Sequence, residues 1–324
     1  MRGSRLENQV CLVTGGAGFI GSHLVERLVN LGARVRVLDN LSTGSEANLA
    51  AVRSNITFLQ GDAGDPQVSS EAVEGCAYVF HLAAMASVPR SVAQPDLCNQ
   101  WTTVSTVNLL AAAAKRNDLK RFVLASTSAA YGDSTFLAKR ESDPFLPMSP
   151  YAAAKIASEQ YCQAFFKSLN VPTVALRFFN VFGPRQDPRS EYSAVIPRFV
   201  AAILEGERPV VYGDGGQSRD FVYVDNVIDA NVLAATQEPS IGRVLNVGCG
   251  SSTTLLELLG ILRTALGQEI DPIFAPPRAG DVRDSMADIT LARRLLDYQP
   301  RVSVHDGLRT SIEYYRGLVS TAVS

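Results

Sequence analysis

Lysine, histidine and cysteine are all scarce in this 324-residue chain, and each shortage closes off a class of function. Lysine is limited to Lys115, Lys120, Lys139, Lys155 and Lys167, and the formal net charge is -2. Without a basic field, neither nucleic acid nor an anionic membrane is expected as a partner. The three histidines, His23, His81 and His305, are far apart and no C-x-x-C occurs, so no metal site is expected. Cys11, Cys76, Cys98, Cys162 and Cys249 are odd in number and lie mostly in apolar segments. That pattern reads as buried, reduced thiols in a reducing, cytoplasmic compartment. No apolar run approaches the roughly 20 residues of a membrane helix. The polar first eight residues lead straight into a strand pattern, so no signal peptide is expected.

What is present is ordinary for a globular protein, with 46% hydrophobic and 19% charged residues. The first half alternates β-branched runs with helical periodicity. Strands are expected over 10–14, 35–39, 56–60, 78–82, 122–125 and 173–177, and helices over 19–31, 103–116 and 151–169. Such alternation predicts an α/β fold, a doubly wound parallel sheet. After residue 180 the texture changes. Residues 183–192 hold two prolines and charges of both signs without periodicity, which reads as a functional loop. A helix over 195–205, a turn-rich stretch over 212–218 and an irregular segment over 276–281 follow. We expect residues 1–180, with 222–250 returning, to form a nucleotide-binding domain. Residues 181–221 and 251–324 would form a smaller C-terminal substrate domain.

The first strand runs into Gly15-Gly16-Ala17-Gly18-Phe19-Ile20-Gly21 and then a helix. Glycines at this spacing let backbone N–H groups approach a pyrophosphate at the helix N-terminus. Asp39 ends the second strand, where a carboxylate bonds the adenosine ribose hydroxyls and repels a 2′-phosphate. NAD is therefore expected rather than NADP. Asp62 either bonds the adenine amino group or is a turn aspartate. Leu82-Ala83-Ala84 closes the fourth strand with small residues facing the dinucleotide.

Tyr151 and Lys155 form Y-x-x-x-K at a helix start, which puts both side chains on one face. An ammonium beside a phenol favours the phenolate and makes it a usable base near neutral pH. The fifth strand ends in Ser126-Thr127-Ser128, hydroxyls at the edge that faces the cofactor crevice.

With these pieces the chain resembles the extended short-chain dehydrogenase/reductase family, from Gly15 to the Arg278 region. Within it the chain looks like the UDP-hexose 4-epimerases. The resemblance rests on the glycine loop, Leu38-Asp39-Asn40, His81-Leu82-Ala83-Ala84, and Ser126-Thr127-Ser128 ahead of Tyr131-Gly132. It continues through Ser149-Pro150-Tyr151 with Lys155, the 177–184 string Arg-Phe-Phe-Asn-Val-Phe-Gly-Pro, Ser218-Arg219-Asp220-Phe221, and Arg278-Ala279-Gly280-Asp281. It implies a Rossmann fold and adds Asn40, Ser42, Gly44, Ala63, Ser126 and Phe178 to the residues around NAD. Thr127 would be the hydroxyl partner of Tyr151. Asn180, Arg219 and Arg278 would hold a substrate diphosphate, and Asp281 the uridine ribose. The Ala194-Val195-Ile196 stretch and Val210 would line the uracil, Tyr212 would also contact the substrate, and Phe178 and Phe179 would pack near the nicotinamide. Ala86, Ser87, Ser128 and Ser285 would border the sugar. Ser285 stands where relatives restricted to plain hexoses usually carry a bulky Tyr, which implies room for an N-acetyl group at C2.

Thr102 and Ser105 depart from the family's usual Asn and Gly, which puts the nicotinamide contacts in question. Relatives that eliminate water carry an acid after the catalytic hydroxyl. Here Ser128-Ala129 follows Thr127, which favours an epimerase. Two rivals stand beside the UDP-sugar 4-epimerase. One is a UDP-uronate epimerase, with Arg185 as the nearby cation for the C6 carboxylate. The other is a non-catalytic NAD-binding module. The long helices over 103–116 and 151–169, which relatives pair into a four-helix bundle, suggest a homodimer.

Overall fold

The computed structural model describes residues 5–188, 194–277 and 282–322, with side chains described as far as residue 317. Seven strands build the main sheet: β1 (Val10–Thr14), β2 (Arg34–Asp39), β3 (Ile56–Gln60), β4 (Tyr78–His81), β5 (Arg121–Thr127), β6 (Thr173–Phe178) and β7 (Arg243–Val247). All pair in parallel, in the order β7-β6-β5-β4-β1-β2-β3. The doubly wound α/β fold expected from the alternation is therefore present. The order reverses between β1 and β4, and that reversal opens a crevice at the strands' C-terminal ends.

The sequence explains the sheet. Helices cover both faces, so β4, β5 and β6 are buried at every position and read as unbroken apolar runs. Arg121 and Thr173 are buried polar residues at the N-terminal strand ends, and a larger set lies at the crevice edge. Thr14, Asp39, His81, Ser126, Thr127 and Arg177 are all buried polar residues at or near strand ends.

Helix α1 (Phe19–Asn30) starts directly after the glycine loop. Gly15 has φ +68°, and a Cβ there would lie 2.8 Å from the Ala83 backbone nitrogen. A Cβ on Gly21 would lie 2.1 Å from the Gly15 carbonyl oxygen. Glycine is the residue that lets β1, α1 and the β4 loop meet. Helix α2 (Pro150–Leu169) has Pro at its first turn, an N-cap Ser149 that accepts from the Ala152 N–H, and a left-handed Asn170 at its end. Each is a sequence-level stop or start signal for a helix. The helix expected over 103–116 is α-helical over Ser105–Ala114 and is preceded by a π-helical turn, Gln100–Val104.

Smaller elements join the main sheet. A four-stranded sheet orders Thr253–Thr254, Ser218–Arg219, Asp284–Ala287 and Ala138–Lys139. Asn180–Phe182 pairs in parallel with Phe221–Tyr223, and Val210–Tyr212 with Ile273–Ala275. Helix α3 (Val195–Leu204) turns Ile196, Phe199, Val200 and Ile203 into the core. Helix α4 (Val224–Thr236) packs on α1. Helix α5 (Leu255–Leu266) opens on a capping box between Thr254 and Glu257.

Among the described residues no helix is long and apolar enough to cross a membrane, and no group of three metal-ligating side chains forms. All five cysteines are free thiols, and four of them are buried.

Candidate active site

Two cavities meet at Tyr151. The first, about 790 Å³, follows the crevice from the glycine loop to α2. Gly15, Gly18, Phe19, Ile20 and Gly21 line one side, and Asp39, Asn40, Ser42 and Gly44 continue it. Asp62 and Ala63 close the far end, while Leu82, Ala83, Ala84, Ser126, Lys155 and Phe178 form the floor. The residues expected around the cofactor thus border one continuous space. The second cavity, about 890 Å³, runs from Tyr151 under α3 to Val210 and Tyr212. Thr127, Ser128, Asn180, Ala194, Val195, Arg219 and Ser285 line it. Ala86 and Ser87, expected beside the sugar, line the first cavity instead. Arg278 and Asp281 lie outside the described residues.

The first cavity fits a dinucleotide. Gly15, Gly18 and Gly21 border it at the start of α1, and a helix N-terminus with side-chain-free residues suits close approach of a pyrophosphate. Asp39 accepts from the Ala17 N–H at 2.9 Å and from the Leu41 N–H at 2.8 Å. These bonds aim its carboxylate at the cavity and tie the glycine loop to β2. The two arginines on its own strand are engaged elsewhere: Arg36 donates to the Ala72 and Glu74 carbonyls, and Arg34 to the Asn8 carbonyl. A 2′-phosphate would meet a carboxylate without a cation, which selects NAD over NADP. The Asp62 carboxylate accepts from the Gly64 N–H at 2.7 Å, so one oxygen closes a turn while the residue still borders the cavity.

Beneath the Leu82–Ala84 floor runs a fully buried hydroxyl network. Thr14 Oγ1 accepts from the Ala83 N–H and lies 2.7 Å from His81 Nδ1. His81 Nε2 lies 3.0 Å from Thr106 Oγ1, which reaches Ser158 on α2. Burial, with Lys155 nearby, pushes the His81 pKa down to about 3, so the ring is neutral. Thr102 and Ser105 turn into this interior and line neither cavity. Thr102 accepts from the Met85 N–H, and Ser105 donates to the Trp101 carbonyl. One part of the cofactor cavity's wall was not legible in sequence. Arg90 stacks 4.9 Å over the Trp101 ring, and both line the cofactor cavity.

Tyr151, Lys155 and Glu159 occupy one face of α2 at successive i, i+4 positions. Thr127 accepts from the Ala129 N–H at 3.1 Å and hydrogen-bonds the Tyr151 phenol. Burial raises the Tyr151 pKa, and the Thr127 hydrogen bond works against that rise. Lys155 is nine-tenths buried and donates to the Ala125 carbonyl at 2.6 Å. Burial pulls its pKa down to about 8, with Cys98 and Glu159 opposing. The sequence expectation had the ammonium lowering the phenol directly. In the structure the lysine is fastened to β5, and the Thr127 hydrogen bond also favours the phenolate.

Glu159 anchors a second layer. Its carboxylate receives two bonds from Arg177, at 3.0 and 2.8 Å, and one from the Ser126 hydroxyl. Arg177 also donates to Tyr131 at 2.8 Å, and Tyr131 donates to Asn246 at 2.6 Å. Both charges are buried, and their bidentate contact satisfies them where an unpaired ion would be costly. Spacing of eight from Tyr151 was the one signal for Glu159.

On the substrate side, strand pairing sets Arg219 beside Ser285. Asp220 holds that strand in place. It is fully buried and accepts from the N–H groups of Cys249, Gly250 and Ala287 at 2.7, 2.9 and 3.1 Å. Arg185, offered as a cation for a C6 carboxylate, instead pairs with Glu26 of α1 at 2.6 Å and lines the cofactor cavity.

Comparison with known proteins agrees with this geometry. The model of the NAD dependent epimerase/dehydratase family matches residues 11–248. A UDP-glucose 4-epimerase of Mycolicibacterium smegmatis is 38% identical over 94% of this chain and 98% of its own length. The solved UDP-N-acetylglucosamine 4-epimerase of Methanobrevibacter ruminantium M1, in complex with UDP-N-acetylmuramic acid, superposes with a TM-score of 0.92. It is 41% identical and covers 96% of this chain and 99% of its own. The UDP-glucose 4-epimerase of Thermotoga maritima, solved with UDP-glucose, gives a TM-score of 0.91 at 38% identity, covering 96% and 99%. From the glycine loop through β7, this chain belongs to the NAD dependent epimerase/dehydratase family.

Proposed function

We propose that the protein interconverts the C4 epimers of a UDP-linked sugar, with a UDP-N-acetylhexosamine as the best-fitting substrate. The observation that carries this reading is the position of Tyr151, which lines both cavities with Thr127 at its hydroxyl and Lys155 one turn behind. A non-catalytic binding module has no use for a phenol so placed.

Gly15, Gly18, Gly21 and Asp39 would hold NAD, which supplies a hydride acceptor and donor when bound. Tyr151 takes the proton from the sugar 4-hydroxyl, with Thr127 relaying it, and returns it after the 4-keto sugar turns over. Arg219, with Asn180 and Arg278, fixes the diphosphate so that only the sugar ring moves. Ser128, Ala194 and Ser285 border the sugar with small side chains, which leaves space for an acetamido group and for rotation. The Arg185–Glu26 pair withdraws the cation that a uronate would require. For assembly we propose a homodimer formed through α2 and the Ser105–Ala114 helix, to be read by sedimentation equilibrium.

The test is to incubate the protein separately with UDP-GlcNAc, UDP-glucose and UDP-glucuronate and to resolve the epimers. UDP-GlcNAc should yield UDP-GalNAc without added NAD. Tyr151→Phe should retain cofactor and lose turnover by about 10²–10⁴-fold, the usual worth of a general base. No epimer from any of the three, or near-normal turnover in Tyr151→Phe, overturns the reading.

A further inference from the structure

We propose that Gln217 is a nucleoside-binding residue, its side-chain carbonyl accepting a hydrogen bond from the uridine half of the substrate. The inference rests on the reading that the second cavity takes a UDP-linked sugar.

Gln217 ends the turn that follows strand Val210–Tyr212 and lines the second cavity. It is only 7% exposed. Its Nε2 donates to the Tyr212 carbonyl at 2.6 Å, which closes the turn on itself. Its Oε1 is buried and has no hydrogen-bond partner among the described residues. A buried amide oxygen without a partner is costly and rare, which marks a position where something else completes the bond.

The amide cannot simply be turned round. A flip would set Oε1 against the Tyr212 carbonyl, two acceptors at hydrogen-bond distance, so the Tyr212 contact fixes which end faces the cavity. Gln217 therefore presents an acceptor, and its ligand must supply a donor.

That requirement selects one part of a UDP-sugar near this strand. Gln217 immediately precedes the strand Ser218–Arg219, and Gln217 and Arg219, two residues apart, both line the second cavity. Arg219 suits the diphosphate, whose ionised oxygens accept and cannot pair with Oε1. With the diphosphate at Arg219, the nucleoside would extend along the same cavity, whose lining continues through Gln217 to Val210 and Tyr212. Its donors are the ribose hydroxyls and the uracil N3–H. Either satisfies the same chemistry, a neutral donor on the nucleoside.

The experiment uses the cofactor-loaded protein and calorimetric binding of UDP, 2′-deoxy-UDP, 3′-deoxy-UDP and N3-methyl-UDP. The wild type should bind the analogue that lacks the relevant donor about tenfold more weakly than UDP, the scale of one net hydrogen bond. Gln217→Leu should bind UDP about tenfold more weakly and should no longer distinguish that analogue. Which analogue responds tells hydroxyl from imide. Tight binding of all four nucleotides by the wild type without discrimination overturns the Gln217 assignment alone, whatever becomes of the variant's folding. Equal loss of all four in Gln217→Leu with discrimination intact also overturns it, as a role confined to the turn. Failure of the wild type to bind UDP at all sinks the UDP-sugar reading as well.

Discussion

The Lys155 ammonium donates to the Ala125 carbonyl, at 2.6 Å, and that bond ties the catalytic helix to the strand carrying Thr127. Burial brings its pKa down to about 8. A depressed lysine is charged below that value and neutral above it. Turnover that depends on the charge should fall as pH rises through about 8. Lys155→Arg keeps a cation at every working pH and should abolish that upper limb, even if the maximal rate drops. A kcat/KM profile from pH 6 to about 10 decides it. An unchanged upper limb in Lys155→Arg would assign it to another group.

Asp39 clasps the Ala17 and Leu41 N–H groups as well as facing the cofactor cavity. Asp39→Ala should weaken NAD binding by tenfold or more and also destabilise the free protein by about 1.5–3 kcal/mol, the worth of hydrogen bonds to a charged group. Fluorescence titration and denaturant unfolding report the two effects separately. Tighter binding of NADP than NAD by the unaltered protein would contradict the role given to Asp39.

The Glu159–Arg177 pair is buried on both sides. Glu159→Gln leaves the guanidinium without its counter-charge and should cost about 3–5 kcal/mol. Replacing both residues with apolar ones of similar size should cost less than the single change. Urea denaturation of the three proteins measures this. A single-variant loss below 1 kcal/mol would show that water or a neighbour compensates Arg177.

Ser285→Tyr should narrow the substrate range. Overfilling a formed pocket costs about 1–3 kcal/mol, or roughly 5- to 150-fold in selectivity. UDP-GlcNAc turnover should fall by that factor while UDP-glucose turnover holds or improves. Equal losses on both substrates would make Ser285 a structural residue, and no loss would place it outside the sugar pocket.

The elements that were legible share one property: their signal is local. The glycine loop, Asp39 at a strand end, and Tyr151 with Lys155 each announce themselves within a few residues. What was not legible depends on distant partners. Glu159 reads as a solvated helix charge until Arg177 and Ser126 arrive from two strands. Gln217 reads as turn filler until its carbonyl is seen to lack a partner. Helix α4 carries Asn226 and Asn231, which look like breaks in an apolar face. Both are buried; Asn226 donates to the carbonyl of the distant Val302, whereas the Asn231 bond to the Val227 carbonyl stays within the helix. Ala86 and Ser87 share a short segment that borders the crevice near Tyr151, and sequence gave no means to choose which cavity they face.

The pairing of Arg219 with Ser285 has a consequence for how the molecule is made. The two residues are separated by much of the C-terminal chain, and their strands also need Ala138–Lys139 and Thr253–Thr254. Contacts of such long sequence separation form late and slowly. During synthesis the glycine loop, β2 and β4 emerge first, while the strand carrying Ser285 comes near the end. A nascent chain can therefore acquire its dinucleotide pocket well before it has a place for a sugar. Cofactor captured at that stage would act as a template on which the remaining strands assemble. Refolding from denaturant should then be faster and cleaner with NAD present from the start than with NAD added afterwards.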